Sequence, residues 1–323
     1  MGPRSFLRDL RRRARTELEF RAARGDRADV AVFHEFHRPP YGGGNQFLLA
    51  LRGELERRGL SVEVNRVSGG TPACLYNSFN FDFRRLRRFA RDDVRMVHRV
   101  DGPIGAYRGF DDGTDRRIVE INRLAAATIL QSCFSLDKHR ELGLELRNPV
   151  VIHNTVDPAI FHPPSEREPY DRLRVVTTSW SDNPRKGADV LAWLDEHLDF
   201  AEYEVTFAGR TQQEFRNVRV VGPLASEALA DVLRAHDVFL ASSLDDPCSN
   251  ALLEGLACGL PAVFRRSGGH PELVGDAGVG FDAPEEVPAA LARLRTEFEQ
   301  RRAAIRVRPL AEVADRYLDV LRA

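Results

Sequence analysis

The chain has 323 residues, and at roughly 100 to 200 residues per domain this length predicts two domains. Hydrophobic residues make up 43% and charged residues 29% of the sequence, a composition that indicates packed cores and excludes a disordered protein. The 47 basic residues nearly balance the 48 acidic ones, so the net charge of −1 disfavours nucleic acid as a partner.

Membrane spans, zinc sites and disulfide frameworks are also disfavoured by the sequence. No apolar run approaches the roughly 18 to 20 residues that cross a bilayer, and the arginine-rich N-terminus lacks a signal-peptide core. We therefore expect a cytoplasmic protein. The four cysteines, Cys74, Cys133, Cys248 and Cys258, lie far apart without a C-x-x-C pair, which predicts buried thiols.

The first predicted element is a basic amphipathic helix over residues 4–24. Arginines surround an apolar stripe of Leu7, Leu10, Ala14 and Leu18 at helical spacing. The stripe is narrow and lacks tryptophan, so we favour a helix packed on the first domain with a solvated arginine face. Peripheral attachment to an anionic membrane surface is the alternative.

From residue 29 onwards, short β-branched runs alternate with helical stretches, which is typical of parallel strands joined by crossover helices in an α/β protein. The predicted strands of the first half are 29–34, 61–65, 73–77, 95–100, 128–132 and 150–153, and its clearest helices are 45–58 and 115–127. The predicted strands of the second half are 174–179, 204–208, 218–221, 238–242 and 262–265. Four prolines within 154–170 predict an interdomain linker between two Rossmann-like halves, because proline disfavours helices and central strands.

A glycine-rich loop follows the first predicted strand and opens a helix, in the sequence Y-G-G-G-N-Q-F at 41–47. Glycines there, Gly43 and Gly44 in particular, allow the backbone to approach a ligand closely. The loop lacks the G-x-G-x-x-G spacing of dinucleotide-binding proteins, which argues against a nicotinamide dehydrogenase.

Two titratable residues lie near the end of the strand at 95–100. Ligand sites of α/β proteins form at the carboxyl ends of strands, so His98 and Asp101 are both candidates for the site. Asp101 is preferred, because His98 lies inside the strand, where a packing role is an equal alternative.

The most informative segment is L-D-D-P-C-S-N-A-L-L-E-G at 244–255, which follows a strand and opens a helix. If Ser249 or Asn250 caps this helix, the backbone N–H groups of Ala251 and Leu252 form an anion site suited to a diphosphate. Glu254 then lies in the first or second turn, where a carboxylate can accept hydrogen bonds from two ribose hydroxyls. Asp246 precedes the helix and faces the sugar end of the ligand.

At these residues the sequence resembles the retaining glycosyltransferases of family 4, which have the GT-B fold. Two acidic residues seven apart precede A-C-G-L-P at 257–261, and V-I-H-N-T-V-D at 151–157 and S-G-G-H-P-E-L-V at 267–274 are similar to further motifs of that family. The resemblance implies two Rossmann-like domains that face each other across a cleft. It divides the chain into an acceptor domain at 1–155, a nucleotide-sugar donor domain at 156–308 and a C-terminal helix at 309–323 that returns to the first domain.

The resemblance also implies roles for individual residues. Val221 lies in a strand beside the nucleobase pocket, and Asp101 lies beside the transferring sugar. The loop at 179–187 is similar to the family's G-R-x-x-x-x-K-G loop, in which Lys186 neutralises the leaving diphosphate. This chain departs from the family in two places: Asp246 replaces the usual glutamate, and Ser181 replaces the usual arginine, whose charge we expect Arg185 to supply.

The resemblance thus predicts an enzyme that transfers a hexose from a nucleotide diphosphate, UDP being favoured, to an acceptor hydroxyl with retention at the anomeric carbon. No D-x-D motif occurs, so we expect no metal and no cofactor, with Lys186, Arg185 and helix N–H groups neutralising the diphosphate. The acceptor class, a glycan, a lipid-linked sugar or a natural product, stays open. The alternatives are a sugar-nucleotide epimerase of the same architecture and a catalytically silent sugar-nucleotide-binding subunit.

Overall fold

A computed structural model describes residues 25–167 and 171–323. The predicted helix at 4–24 and part of the predicted linker lie outside the described residues. In the described part of the chain, no helix is both long and apolar enough to pass through a membrane.

The first domain is built on a six-stranded parallel sheet in the order β2-β1-β3-β4-β5-β6. Its strands are β1 (Val30–Phe33), β2 (Val62–Val64), β3 (Ala73–Asn77), β4 (Arg95–Val100), β5 (Ala127–Leu130) and β6 (Pro149–Val151). Its helices are α1 (Gly43–Arg57), α2 (Phe83–Phe89), α3 (Ile104–Arg108), α4 (Thr114–Asn122) and α5 (Cys133–Glu141). β1, β3 and β5 are buried along their whole length, as expected for parallel strands covered on both faces.

The second domain repeats this architecture in the order β12-β11-β10-β7-β8-β9. Its strands are β7 (Leu173–Ser179), β8 (Tyr203–Gly209), β9 (Arg219–Val221), β10 (Val238–Ala241), β11 (Ala262–Arg265) and β12 (Gly278–Phe281). Its helices are α6 (Ala188–His197), α7 (Ser226–Arg234), α8 (Asn250–Ala257), α9 (His270–Val274), α10 (Val287–Thr296) and α11 (Phe298–Ala303), and the chain continues to α12 (Leu310–Arg322). Short 3₁₀ turns lie at Pro184–Lys186, Gly275–Ala277 and Pro284–Glu286.

The last helix, α12, packs on the first sheet although it follows the second domain in sequence. Its buried residues recur every three or four positions, which gives the helix one continuous apolar face. This face joins the core formed by β1, β3, β4 and α1, where the ring of Tyr317 lies 5.6 Å from that of Phe47. Arg316 adds a hydrogen bond of 2.8 Å to the carbonyl of Val151.

The eleven predicted strands are confirmed, with ends displaced by at most two residues. The prediction missed β12, whose sequence Gly-Val-Gly-Phe alternates glycine with apolar residues and carries a weak strand signal. The helix predicted at 115–127 ends at Asn122, because the chain turns there to begin β5. Three cysteines are buried as predicted, but Cys133 is exposed because it occupies the first position of α5 at the protein surface.

Candidate functional site

A cleft of about 540 Å³ lies where the carboxyl ends of the strands of both sheets face each other. The loops after β1 and β4 line it from the first domain, and the loops after β7 and β10 line it from the second. The carboxyl ends of parallel strands are the usual location of ligand sites in α/β folds. The cleft is therefore the candidate functional site.

The glycine loop brings the start of α1 to the centre of the cleft. A Cβ atom at Gly43 would overlap the side chain of Asn250, so a larger residue would force the two domains apart. A Cβ atom at Gly44 would lie 3.9 Å from the carboxylate oxygens of Asp101. Gly43 and Gly44 both line the cleft, and the absence of side chains keeps space open beside Asp101.

Asp101 follows β4, and its carboxylate is held by groups of the first domain. Arg99 Nη1 donates to one oxygen at 2.7 Å, and the Ser78 hydroxyl donates to the other at 3.0 Å. Arg99 is fully buried and also donates to Asn77 and Asn154. The carboxylate is 29% exposed and faces the cleft. Asp101 is therefore oriented by a buried guanidinium and presents a fixed negative group to a ligand.

His98 does not reach the cleft, which contradicts its candidacy as a catalytic residue. It is fully buried, stacks on Tyr76 with ring centroids 4.3 Å apart, and places Nε2 2.9 Å from the carbonyl oxygen of Ser78. Its Nδ1 accepts from Asn122 at 3.0 Å, so both ring nitrogens are engaged. Burial lowers the pKa of His98 to about 3, so the imidazole is neutral. His98 is a packing residue of the sheet.

On the opposite wall, Lys186 and Asp246 form an ion pair with an N–O distance of 2.7 Å. The lysine side chain is 28% exposed and the aspartate 11%, and both residues line the cleft. Burial opposes both charges, but the attraction between them dominates. The pKa of Lys186 is therefore raised and that of Asp246 lowered. Asp246 uses one carboxylate oxygen for this pair, and Lys186 keeps donors for an anionic ligand.

Arg185, the expected source of a second positive charge, does not line the cleft. Its guanidinium donates to Asp245 at 2.5 Å, and its Cδ lies 2.8 Å from the position that a Cβ atom of Gly109 would take. The charge of Arg185 is thus neutralised by Asp245 at the rim between the domains. The prediction that Arg185 contacts the diphosphate is therefore wrong for this arrangement, because the guanidinium is directed to the neighbouring acid.

Helix α8 begins behind Asp246 with Ser249 as its N-cap, as predicted. The Ser249 hydroxyl accepts from the N–H of Leu252 at 3.3 Å, so that N–H is occupied, and Leu252 itself is fully buried outside the cleft. Leu252 is therefore corrected from a ligand contact to a capped position. Asn250 and Ala251 line the cleft, and first-turn N–H groups have no intrahelical acceptor.

Glu254 lies one turn further along α8 and faces the cleft. Only 8% of it is exposed, and its carboxylate receives no hydrogen bond from the described residues. Burial raises the pKa of Glu254 to about 8. An unpaired buried carboxyl in a cleft is costly to the empty protein, which indicates that a ligand completes its environment.

Val221 lies at the end of edge strand β9 and does not line the cleft. The wall at this end is formed two and three residues later by Pro223 and Leu224. The prediction identified the right strand but the wrong residue, because the chain leaves the sheet after Val221 and only then reaches the cavity.

Several lining residues were not identified from the sequence. Trp180 and Tyr41 come from opposite domains and approach to 5.7 Å at the mouth of the cleft, and Arg210 lies 4.0 Å above the Trp180 ring. Arg99 carried the clearest unused signal, since an arginine inside an otherwise apolar strand needs a buried partner. Among the described residues, no group of three or more His, Cys, Asp and Glu side chains is arranged to hold a metal ion.

Comparison with known proteins agrees with this geometry. Residues 174–297 match the family described as Glycosyl transferases group 1. The matching component of the phosphatidylinositol N-acetylglucosaminyltransferase of Arabidopsis thaliana is 31% identical over 157 residues, which cover 44% of this chain and 35% of that protein. D-inositol 3-phosphate glycosyltransferase of Streptomyces avermitilis is 35% identical over 81 residues, which cover 25% of this chain and 18% of that protein. The matches thus span about a third of these relatives or less.

Solved structures extend the likeness to both domains. Sucrose-phosphate synthase from Thermosynechococcus elongatus superimposes with a TM-score of 0.66 at 15% identity, over 90% of this chain and 94% of that one. Anabaena HepE, solved in complex with UDP-glucose, gives 0.62 at 17% identity, over 90% and 95%. The chain therefore has the GT-B fold of glycosyltransferases, and its second domain carries the sequence signature of Glycosyl transferases group 1.

Proposed function

We propose that the protein transfers a hexose from a UDP-linked donor to an acceptor hydroxyl with retention at the anomeric carbon. One observation carries this proposal. A single cleft combines a cation, a helix N-terminus and an unpaired glutamate from the second domain with an oriented aspartate from the first. These groups match, in order, a diphosphate, a ribose and a sugar.

The diphosphate is assigned to Lys186 and the start of α8. The ammonium uses one donor for Asp246 and offers the others to phosphate oxygens, while the N–H of Ala251 faces the same space at the positive end of the helix. Fixed positive groups of this kind stabilise the charge that develops on a leaving diphosphate. We therefore propose metal-independent transfer.

The nucleoside is assigned to the end of the cleft near Glu254. Its carboxylate can accept hydrogen bonds from two neighbouring ribose hydroxyls, which supply the partners that it lacks in the empty cleft. Pro223 and Leu224 form an apolar wall beyond it for the base. UDP is favoured because HepE has the same fold and was solved with UDP and with UDP-glucose.

The transferring sugar is assigned to the space between Gly44, Asp101 and Asp246. Asp101 presents a negative carboxylate fixed by Arg99, which suits it to bind sugar hydroxyls and to stabilise positive charge at the anomeric carbon. Since that carboxylate is already paired, we give it no role as a base. For retention, the acceptor attacks from the face that the diphosphate leaves, and the leaving phosphate oxygen takes the acceptor proton.

A panel of nucleotide sugars tests the proposal. The purified protein is incubated with each donor, with and without an acceptor, and release of the nucleoside diphosphate is followed. The relatives' names point to phosphatidylinositol and inositol phosphate as the first acceptors to include. We expect UDP release that rises with acceptor. Epimerised sugar without UDP release would indicate an epimerase instead, and binding without turnover would indicate a silent subunit.

A further inference from the structure

A carboxylate of the second domain caps a helix of the first. Glu272, in α9, accepts hydrogen bonds from the N–H groups of Cys133 and Phe134 at 2.9 and 3.0 Å, and these are the first two residues of α5. His153 Nε2 lies 2.9 Å from the same carboxylate. The first N–H groups of a helix have no intrahelical acceptor, and a negative charge there also interacts favourably with the helix dipole. Both oxygens of Glu272 are thus used across the domain boundary.

The environment of Glu272 favours its charged form. Burial alone would raise its pKa, but the hydrogen bonds from His153 and from the two backbone amides outweigh that effect, so the pKa is lowered. The side chain is 24% exposed and does not line the cleft. Glu272 therefore cannot contact the donor, and its effect on the site must act through the elements that it joins.

Those elements lead to the two acids of the cleft. In α5, the Ser135 hydroxyl donates to the backbone carbonyl of Asp101 at 2.9 Å. In the segment before Glu272, the N–H of Gly269 donates to the backbone carbonyl of Asp246 at 2.8 Å. The contact between Glu272 and α5 thus closes a path of hydrogen bonds that joins the backbone of Asp101 to that of Asp246.

The residues after the two acids also touch across the boundary. A Cβ atom at Gly102 would lie 2.8 Å from the Cβ atom of Pro247, so the two loops are already packed against each other. Opening of the domains would separate this contact together with the contacts of Glu272. The distance between the acids therefore depends on how firmly this edge is closed.

We propose that Glu272 is a positioning residue that holds the two domains closed and thereby fixes Asp101 against Asp246 around the donor sugar. This inference rests on the proposed transferase function. Each partner of Glu272 comes from outside the second domain's own sheet, so the contact contributes to the closed arrangement and is lost on opening, when water solvates both sides. Removing it shifts the closure equilibrium while leaving the nucleotide contacts of the second domain in place.

The test compares Glu272→Ala and Glu272→Gln with Glu285→Gln, which changes an exposed glutamate of the same domain. Turnover is measured with UDP-glucose or the best donor of the panel, UDP affinity by titration calorimetry, and the radius of gyration by small-angle scattering with UDP bound. We expect Glu272→Ala to lower kcat about 5- to 150-fold, the usual range of coupling between sites. Its radius of gyration should rise, and its UDP affinity should stay within about twofold of wild type.

Glu272→Gln keeps one acceptor oxygen without the charge, so its loss should be smaller, and it replaces the alanine variant if that one fails to fold. Unchanged kcat and unchanged scattering would overturn the proposal, as would a loss of UDP affinity equal to the loss of kcat. If wild type turns over no donor, the transferase proposal fails. The scattering comparison still decides whether Glu272 holds the domains together.

Discussion

Substitution of Glu254 by glutamine separates the cost of an empty site from its use in binding. The wild-type carboxyl has a pKa of about 8 against an ordinary value of 4.5, because it is buried without a partner. At about 1.4 kcal/mol per pH unit, this difference sets an upper bound of about 5 kcal/mol on the cost of charging Glu254 in the folded protein.

The direction of the pH effect follows from that difference. Below pH 4.5 the carboxyl is protonated in both folded and unfolded chains, and its contribution to the free energy of unfolding is fully present. Between 4.5 and about 8 the unfolded chain loses the proton first, so this contribution is lost as the pH rises. Glu254→Gln removes the titration, and the ligand-free variant should therefore melt at a higher temperature than wild type at pH 8, with little difference near pH 4.5.

UDP reverses this order. The amide keeps one acceptor oxygen and loses the charge, so UDP should bind more weakly by about 1.5 to 3 kcal/mol, or about 10- to 150-fold. Because hydroxyl donors favour the ionised carboxylate, wild-type affinity should rise from pH 6.5 to 8.5 more than that of the variant, which serves as the control for titration of UDP itself.

Thermal denaturation from pH 4.5 to 9 and titration calorimetry with UDP provide both measurements, with Glu285→Gln as an exposed control. Equal melting temperatures at pH 8 together with equal UDP affinity would refute the assignment of Glu254 to the nucleotide site.

Four further predictions follow from the same geometry. Asp101→Asn should lower kcat about 10²- to 10³-fold with nearly unchanged UDP affinity, whereas Asp101→Ala should also cost about 3 to 5 kcal/mol of stability because Arg99 is left buried and unpaired; kinetics and chemical denaturation separate the two effects. His98→Ala should lower the melting temperature through the cavity it leaves but should keep kcat per folded molecule. Activity should survive EDTA, since Lys186 supplies the positive charge; loss restored by magnesium or manganese would contradict this. Full-length protein should not co-sediment with anionic vesicles at physiological salt; co-sedimentation that is lost on removal of residues 4–24 would establish membrane attachment.

The sequence predicted the positions of backbone elements well, because strand and helix periodicity are local signals. The Gly43 loop, Asp101 and Asp246 all follow strands, and the carboxyl ends of parallel strands necessarily share one edge of a sheet. Residues chosen by their place after a strand therefore reached the cleft. The same argument explains why the N-cap at Ser249 was predicted correctly.

What the sequence could not predict were the partners of side chains. Arg185 is neutralised by Asp245, 60 positions later, and the Ser249 hydroxyl occupies the N–H of Leu252 that had been assigned to a ligand. His98 lies in a strand that is almost wholly buried, so alternation did not reveal which direction its ring would take. Such contacts depend on tertiary packing, which a single sequence does not encode in any local pattern.

The central claim is that the cleft binds a UDP-sugar and cleaves its glycosyl–phosphate bond. The most direct test measures UDP release from UDP-glucose and related donors by wild type, Glu254→Gln and Glu285→Gln under identical conditions. We predict release by wild type and by Glu285→Gln, and release by Glu254→Gln that recovers towards wild type only at much higher donor concentration. Absence of release from every UDP-sugar, or release unaffected by Glu254→Gln at low donor concentration, would contradict the account.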